Sequence, residues 1–298
     1  MRSEKEMYEL ILGYAEKNDD IRAVILNGSR ANPARVPDPF NDFDIVYLVR
    51  DAAPYKSTPL NIEYGEKLFG KMLVFERTDD NELFGDDIPD TVCYLMQFAD
   101  GNRIDLTIAD IKRYEAYCFD DRLSVVLLDK DEIIPKLLPA DESSHFITPP
   151  NERTFSECRT EFWWVAPYVS KGLWHGQLLF AYKHLGIIRE MHLQMLKWYA
   201  GAIHGFDLSV GKAGDRLAKL LPEELWRDYL STFAICDERD IWRALFSACD
   251  GFSRLSVITA EKFGFCITDS YDKEVPKFLR YTESLPRDAA TIDFNIEN

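Results

Sequence analysis

Two consecutive prolines, Pro149 and Pro150, mark the point where the pattern of this sequence changes. Before them, short apolar runs of strand length alternate with turn residues, and after them come long segments with helical spacing of apolar residues. The prolines end the preceding element, and Thr154 with Glu157 can cap a following helix. The sequence therefore predicts an α+β fold, with a mixed β-sheet flanked by helices over residues 1–148 and a helical bundle over residues 149–298.

The periodicity of apolar residues places the elements of both domains. Ser3 and Glu6 form a capping-box pattern at the start of a first helix. Strands are predicted over residues 21–27, 44–50, 72–76, 92–98 and 103–108, and the segments 113–119 and 123–128 complete the domain. Three prolines predict an extended loop over residues 31–40. The second domain is predicted to contain helices over residues 155–174, 178–204, 222–233 and 239–263.

A glycine turn and a pair of carboxylates lie at the ends of the first two predicted strands. Gly28 and Ser29 close one apolar run, and Asp42 and Asp44 open the next. Side chains alternate along a strand, so the two carboxylates point the same way. Oxygen-only ligands favour Mg²⁺, which binds substrate phosphates through the rest of its shell. Gly28 lets the backbone approach a phosphate and Ser29 offers it donors, so the pattern suggests a nucleotidyl-transferring site.

A third carboxylate, Asp105, interrupts an apolar segment. Asp100-Gly101-Asn102 predicts a hairpin turn, which places Asp105 in the middle of the returning strand. A buried carboxylate without a partner costs several kcal/mol, so we expect a metal ion or another cation beside it. A purely structural pairing of Asp105 with Arg103 is the alternative.

Three segments carry a resemblance to a known family, namely Asn27 to Arg30, Asp42 to Tyr47 and Asp100 to Leu106. They resemble the aminoglycoside 6-adenylyltransferases, the streptomycin-modifying branch of the DNA-polymerase-β-like nucleotidyltransferases. The likeness continues in the same order through Leu127–Asp131, Glu161–Trp164, Lys171–Gly172 and Gly211–Lys212, so it covers nearly the whole chain. The resemblance implies a nucleotidyltransferase domain followed by a helical substrate- or nucleotide-binding domain. It also implies transfer of AMP from ATP to a streptomycin hydroxyl, at the 6-position.

The three aspartates motivate a mechanism. We expect Asp42 and Asp44 to coordinate one or two Mg²⁺ ions that bridge the phosphates of ATP, while Ser29 holds the leaving pyrophosphate. Asp105 would then serve as general base for the acceptor hydroxyl or as a further metal ligand. Arg30 could pair either with a phosphate or with the Asp42 and Asp44 cluster.

The predicted helical domain adds two lysines and a possible acceptor site. Antibiotic-modifying nucleotidyltransferases tend to place a lysine on the β- and γ-phosphates, and Lys212 resembles that residue, with Lys171 as a second candidate. Either lysine could instead be an ordinary surface residue. Glu161 beside Trp164 suits a cationic sugar, whose ring stacks while its charge meets the acid. Core tryptophans with an exposed glutamate are the alternative.

Composition restricts the partners. A net charge of −16 argues against nucleic acid and favours a polycation such as an aminoglycoside, although an acidic surface can serve solubility alone. Six scattered cysteines without a Cys-x-x-Cys pair predict free thiols and no zinc site. Without an apolar signal segment or membrane span, we expect a cytoplasmic monomer or weak dimer.

Two other functions remain compatible with these patterns. A nucleotidyltransferase of the same fold could act on another acceptor, because the aspartates do not distinguish acceptors. A catalytically silent nucleotide-binding module is the second, and the presence of all three carboxylates disfavours it.

Overall fold

The computed structural model describes residues 1–36, 38–83, 88 and 90–295. The chain divides into two compact units, Met1–Ser144 and His145–Asn298. The first contains a mixed β-sheet with helices and the second is helical, so the predicted α+β class is confirmed.

The first unit contains a six-stranded sheet within its described residues. Its elements are α1 (Glu4–Lys17), β1 (Ile21–Asn27), β2 (Phe43–Val49), α2 (Ala53–Ser57), α3 (Ile62–Phe69), β3 (Met72–Arg77), β4 (Thr91–Phe98), β5 (Arg103–Asp110), α4 (Tyr114–Phe119) and β6 (Ser124–Asp129). The strand order is β3-β4-β5-β2-β1-β6. Only the central pair β2 and β5 is parallel among these described strands; the other neighbours are antiparallel.

Both faces of the sheet are covered. Val24 and Leu26 of β1 belong to a core that includes Met7 and Ile11 of α1. Ala23 and Ile25, which alternate with them along the strand, belong to a smaller core on the other face with Cys118 of α4. The central strands are therefore apolar on both sides, which is why they appear in the sequence as continuous apolar runs.

The first helix, the β4–β5 turn and the loop after β1 were predicted from local sequence patterns. The predicted capping box is present, because the Ser3 hydroxyl accepts from the Glu6 amide at 3.3 Å and the Glu6 carboxylate accepts from the Ser3 amide at 2.7 Å. The predicted hairpin turn lies between β4 and β5. The 3₁₀ turn that starts at Gly28 ends at Ala31, so the loop predicted over residues 31–40 begins one residue later than expected. Pro37, which supported that prediction, lies outside the described residues.

The second unit consists of helices in its described part. They are α5 (Glu152–Trp174), α6 (Leu178–His204), α7 (Leu217–Leu220), α8 (Glu223–Leu230), α9 (Glu238–Phe263) and α10 (Tyr271–Ser284). The four predicted helices correspond to α5, α6, α8 and α9. The start of α5 was predicted too late: Asn151 is its cap, and the Asn151 Oδ1 accepts from the Thr154 amide at 2.9 Å.

A single apolar core joins these helices. α5 packs against α6, α9 and α10, and α6 also packs against α9. At its centre the rings of Phe162 on α5 and Phe252 on α9 stack with centroids 3.8 Å apart.

The six cysteines are free thiols, as predicted. Burial raises the pKa of the Cys118 thiol to about 11 and that of Cys158 to about 12. Cys236 and Cys266 are exposed. Among the helices described above, none has the length and apolar composition needed to cross a bilayer.

Candidate active site

Two of the predicted carboxylates lie side by side on the parallel strand pair. Asp44 of β2 is the register partner of Asp105 of β5, and Asn27 of β1 is the partner of Asp44 on its other side. Partners in register project their side chains from the same face of a sheet. Asp42 lies two residues before Asp44, and the intervening Phe43 is fully buried, as the strand alternation predicts.

Arg103 lies among these three acids. Its Nε donates to Asp105 Oδ1 at 2.7 Å and its Nη2 donates to Asp105 Oδ2 at 2.8 Å, a two-point ion pair. The same Nε is 3.7 Å from Asp42 Oδ2. The hydrogen bond to Asp105, and then the charges of Asp105, Asp42 and Asp44, raise the pKa of the Arg103 guanidinium. The structure thus contains the alternative pairing of Asp105 that the sequence left open.

The glycine turn closes one side of this acidic cluster. Gly28 has a φ of +69°, which an L side chain rarely adopts. A Cβ built at Gly28 would lie 3.0 Å from Asp44 Cγ and closer still to its Oδ2. Glycine is therefore required here for two reasons, because its backbone turns with positive φ and because it leaves room for the Asp44 carboxylate.

Ser29 and Arg30 follow in the same 3₁₀ turn but face different surroundings. Ser29 is exposed, and its hydroxyl has no hydrogen-bond partner among the residues that are described. The Arg30 side chain is only 5% exposed and forms an ion pair with Glu4 at 3.2 Å.

Arg30 also holds the start of β2 in place. Its guanidinium stacks 3.7 Å from the centroid of the Phe43 ring and donates to the main-chain oxygens of Asn41 and Asp42. The observed partners thus differ from both predicted alternatives, a phosphate and the Asp42 and Asp44 carboxylates. In this structure Arg30 positions the backbone that carries Asp42.

The donor set fits a hard divalent cation. Asp42, Asp44 and Asp105 supply carboxylate oxygens alone, and Gly28 leaves the space that a side chain would fill. Across the described part of the chain, no group of three or more acidic, histidine or cysteine side chains is arranged to hold a metal ion. In this arrangement the Arg103 guanidinium is the counter-ion of Asp105 and approaches Asp42.

The remaining predicted residues belong to the helical unit. Glu161 and Trp164 are both exposed on α5, and the Trp164 indole donates to the Tyr168 hydroxyl at 3.1 Å. Trp163, in contrast, is a core residue. Lys171 is exposed, with its Nζ 5.9 Å from the centroid of the Tyr168 ring, and Lys212 is exposed in the 3₁₀ turn that precedes α7. Their predicted contacts with substrate stay predictions.

Comparison with known proteins gives the same family throughout. The profile of the streptomycin adenylyltransferase family matches residues 1–282. An aminoglycoside 6-adenylyltransferase of Bacillus subtilis (strain 168) is 34% identical over 96% of this chain and 98% of its own length. The enzyme of that name from Campylobacter jejuni is 37% identical over 84% of this chain and 85% of its own length.

One comparison is with a solved structure. The crystal structure of an aminoglycoside 6-adenyltransferase from Bacillus subtilis is 30% identical and covers 96% of this chain and 100% of that chain, with a TM-score of 0.46. The family assignment depends on the sequence matches and not on this superposition.

The protein is a member of the nucleotidyltransferases. This class follows from the glycine turn beside strand-end aspartates on a mixed sheet, together with these matches. Within that class, the chain belongs to the streptomycin adenylyltransferase family. The resemblance found in the sequence is thereby confirmed.

Proposed function

We propose that the protein transfers AMP from ATP to a hydroxyl of a cationic aminoglycoside and releases pyrophosphate. Streptomycin is the proposed acceptor and its 6-hydroxyl the proposed position. The observation that carries the proposal is the register of Asp44 with Asp105 on parallel strands, with Asp42 and the Gly28 turn beside them. Family membership supports the choice of acceptor, because the relatives are named aminoglycoside 6-adenylyltransferases.

The proposed reaction forms one bond and breaks another at the α-phosphorus of ATP. The acceptor oxygen bonds to phosphorus, the bond to the β-phosphate oxygen breaks, and pyrophosphate leaves with that electron pair. The proton of the acceptor hydroxyl passes to the Asp105 carboxylate, which requires Arg103 to release at least one of its oxygens. Mg²⁺, held by Asp42, Asp44 and Asp105, would supply charge neutralisation on the phosphates.

Other residues of this chain would bind and orient the reactants. The exposed Ser29 hydroxyl and the backbone around Gly28 would hold the leaving phosphates. In the helical unit, the exposed Glu161 and Trp164 side chains would receive the cationic acceptor. We further propose that the protein acts in the cytoplasm, where ATP is available, as a monomer or weak dimer without nucleic acid.

Mass spectrometry of streptomycin after incubation with the protein, ATP and Mg²⁺ tests this function. We expect a streptomycin product that is heavier by one AMP unit. One pyrophosphate should be released for each product formed. Asp105→Asn should reduce turnover at least about a hundredfold while ATP binding stays measurable, because an amide cannot accept the proton. Asp120→Asn, an exposed position at the end of α4, is the matched control and should retain full turnover. A protein that adenylylates no aminoglycoside, or an Asp105→Asn variant with the full rate, would refute the proposal.

A further inference from the structure

A pocket of about 460 Å³ lies within the helical unit. Three segments form its walls: the start of the unit around Ile147 and Thr148, the middle of α6 at Gln194 and Lys197, and the loop at Gly211. Its volume is in the range of small-molecule sites in proteins.

The walls are fixed to one another by hydrogen bonds. The Trp198 indole is buried and donates to the Thr148 carbonyl oxygen at 3.2 Å, which ties α6 to the first segment. The Ile147 amide donates to the Leu208 carbonyl oxygen at 3.0 Å, which ties the first segment to the loop, and within that loop the Gly211 amide donates to the Ser209 hydroxyl at 3.2 Å. The pocket is therefore formed before any ligand binds, which lowers the entropic cost of binding.

The polar groups of the pocket favour an anion. None of its lining residues, all within the described part of the chain, is Asp or Glu, although the whole chain has 51 acidic and 35 basic residues. Lys197 is half-buried and forms no ion pair or hydrogen bond with any described residue. Gln194, one turn earlier on α6, is half-buried, and its side chain also forms no hydrogen bond with any described residue.

Asn151, near the start of the unit, adds a donor to the lining of the pocket. Its Oδ1 is occupied by the Thr154 amide in the α5 cap, so its side-chain NH₂ group is the part left for a ligand. On the loop that carries Gly211, the Asp215 carboxylate occupies the space that a Cβ at Gly211 would need, but Asp215 does not line the pocket. A half-buried ammonium group with two amide side chains gives a small, donor-rich site.

We propose that this pocket binds the phosphate groups of a polyphosphate, either a nucleoside triphosphate or free pyrophosphate. Lys197 supplies the charge, and the Gln194 and Asn151 amides supply hydrogen bonds. The assignment of the polyphosphate to a nucleotide rests on the proposed function, whereas the anion preference does not.

Calorimetric titration with ATP, pyrophosphate and inorganic phosphate tests the pocket. EDTA is present throughout, so that no metal ion at the aspartates contributes. We expect Lys197→Gln to weaken binding of ATP and pyrophosphate about tenfold, the effect of losing one charge-assisted contact. Lys197→Arg should retain most of the affinity, and Gln194→Leu should weaken it by a smaller factor. Lys219→Gln, an exposed lysine on α7, is the matched control and should bind like the wild type.

The outcomes separate the two sources of phosphate and the two proposals. Tighter binding of ATP than of pyrophosphate identifies the ligand as a nucleotide, and equal binding identifies it as the polyphosphate group alone. Wild-type affinity in both Lys197→Gln and Gln194→Leu, or a loss only in Lys212→Gln, would overturn the pocket assignment. The proposed function is judged separately, by the AMP added to streptomycin. Melting temperatures of all variants show that each remains folded.

Discussion

At the scale of single residues, Arg103 is the counter-ion of the acidic cluster where we propose that a metal ion binds. Its guanidinium occupies both oxygens of Asp105 and approaches Asp42, yet all three side chains are between 25% and 38% exposed. Ion pairs with this degree of exposure contribute at most about 1 kcal/mol. A divalent cation carries twice the charge and bonds directly to the oxygens, so it can displace the guanidinium. On this proposal, Arg103 is the counter-ion that a metal ion must displace.

Replacing Arg103 should strengthen metal binding and weaken the metal-free protein. In Arg103→Gln the metal no longer competes with a guanidinium, and we expect the affinity for Mn²⁺ to rise up to about fivefold, which corresponds to the loss of about 1 kcal/mol of ion pairing. Without metal, the three carboxylates repel one another, so the melting temperature in EDTA should fall. Titration of Mn²⁺ by calorimetry and melting curves with and without EDTA measure the two effects.

The conservative variant separates charge from geometry. Arg103→Lys retains a cation but loses the two-point contact with Asp105, so its Mn²⁺ affinity should lie between those of the wild type and Arg103→Gln. If Arg103→Gln binds Mn²⁺ no better than the wild type, the guanidinium does not compete for these carboxylates.

At the scale of elements, the end of β1 and the turn after it position Asp44. Gly28→Ala should be costly for two reasons, the positive φ and the contact with the Asp44 carboxylate. The first alone costs about 1–2 kcal/mol of stability. The second displaces a carboxylate of the active site, and a displacement of this kind costs about a hundredfold in rate.

Gly264→Ala is the matched control for this prediction. Gly264 ends α9 with a φ of +70°, nearly the value at Gly28, but nothing lies within 4 Å of a Cβ built there. It should lose a similar amount of stability in urea denaturation and retain full adenylylation activity. Equal activities of the two variants would mean that the close approach to Asp44 has no catalytic importance.

On α6, a buried histidine should make the stability of the protein depend on pH. His192 is 1% exposed, its Nδ1 has no hydrogen-bond partner, and its ring packs against Tyr229 and Phe252. Burial lowers the pKa of His192 from 6.5 to about 4, while the charge of Asp228 opposes this shift and that of Arg254 adds to it. At neutral pH the imidazole is therefore uncharged in the folded protein.

The direction of the pH effect follows from proton binding. Between pH 6.5 and about 4 the unfolded chain protonates this histidine and the folded chain does not, so the free energy of unfolding falls as pH falls. Over the whole range, this one histidine should lower the free energy of unfolding by about 3 kcal/mol. Urea denaturation of the wild type and of His192→Leu across this range should give a shallower pH slope for the variant. His175→Gln, at an exposed position, should keep the wild-type slope.

For the whole molecule, the local sequence pattern was sufficient to predict those elements whose structure is determined by residues close together in the chain. Ser3 and Glu6 identified the first cap, the Asp100 turn identified the β4–β5 hairpin, and the apolar period identified α6 with its observed bounds. The short helices α2 and α3 were missed, since elements of this length are stabilised by packing more than by propensity. α10 was also missed, and it contains Pro276, which local rules take as a helix breaker.

In the candidate site, too, the sequence could not predict features that depend on residues far apart in the chain. The convergence of Asp42, Asp44 and Asp105 on one region could be expected from strand ends, but the parallel register of β2 and β5 that pairs Asp44 with Asp105 depends on the whole sheet. Lys197 and Gln194 carry no sequence signal, because on a long amphipathic helix they look like part of its solvent face. Only the loops around Ile147 and Gly211 turn that part of α6 into a pocket wall.

The net charge of −16 should give the two proposed substrates opposite salt responses. The field of the whole protein attracts a polycationic acceptor and opposes an anionic nucleotide, and salt screens both effects as the Debye length falls from about 30 Å at 0.01 M to about 10 Å at 0.1 M. We therefore expect kcat/KM for streptomycin to fall several-fold over this range while kcat/KM for ATP stays constant or rises. Initial rates at low concentrations of each substrate measure this, with sucrose in place of salt as the control for osmolarity. Parallel losses for both substrates would show that salt acts on the enzyme itself, and that the acidic surface serves solubility and not the capture of a cation.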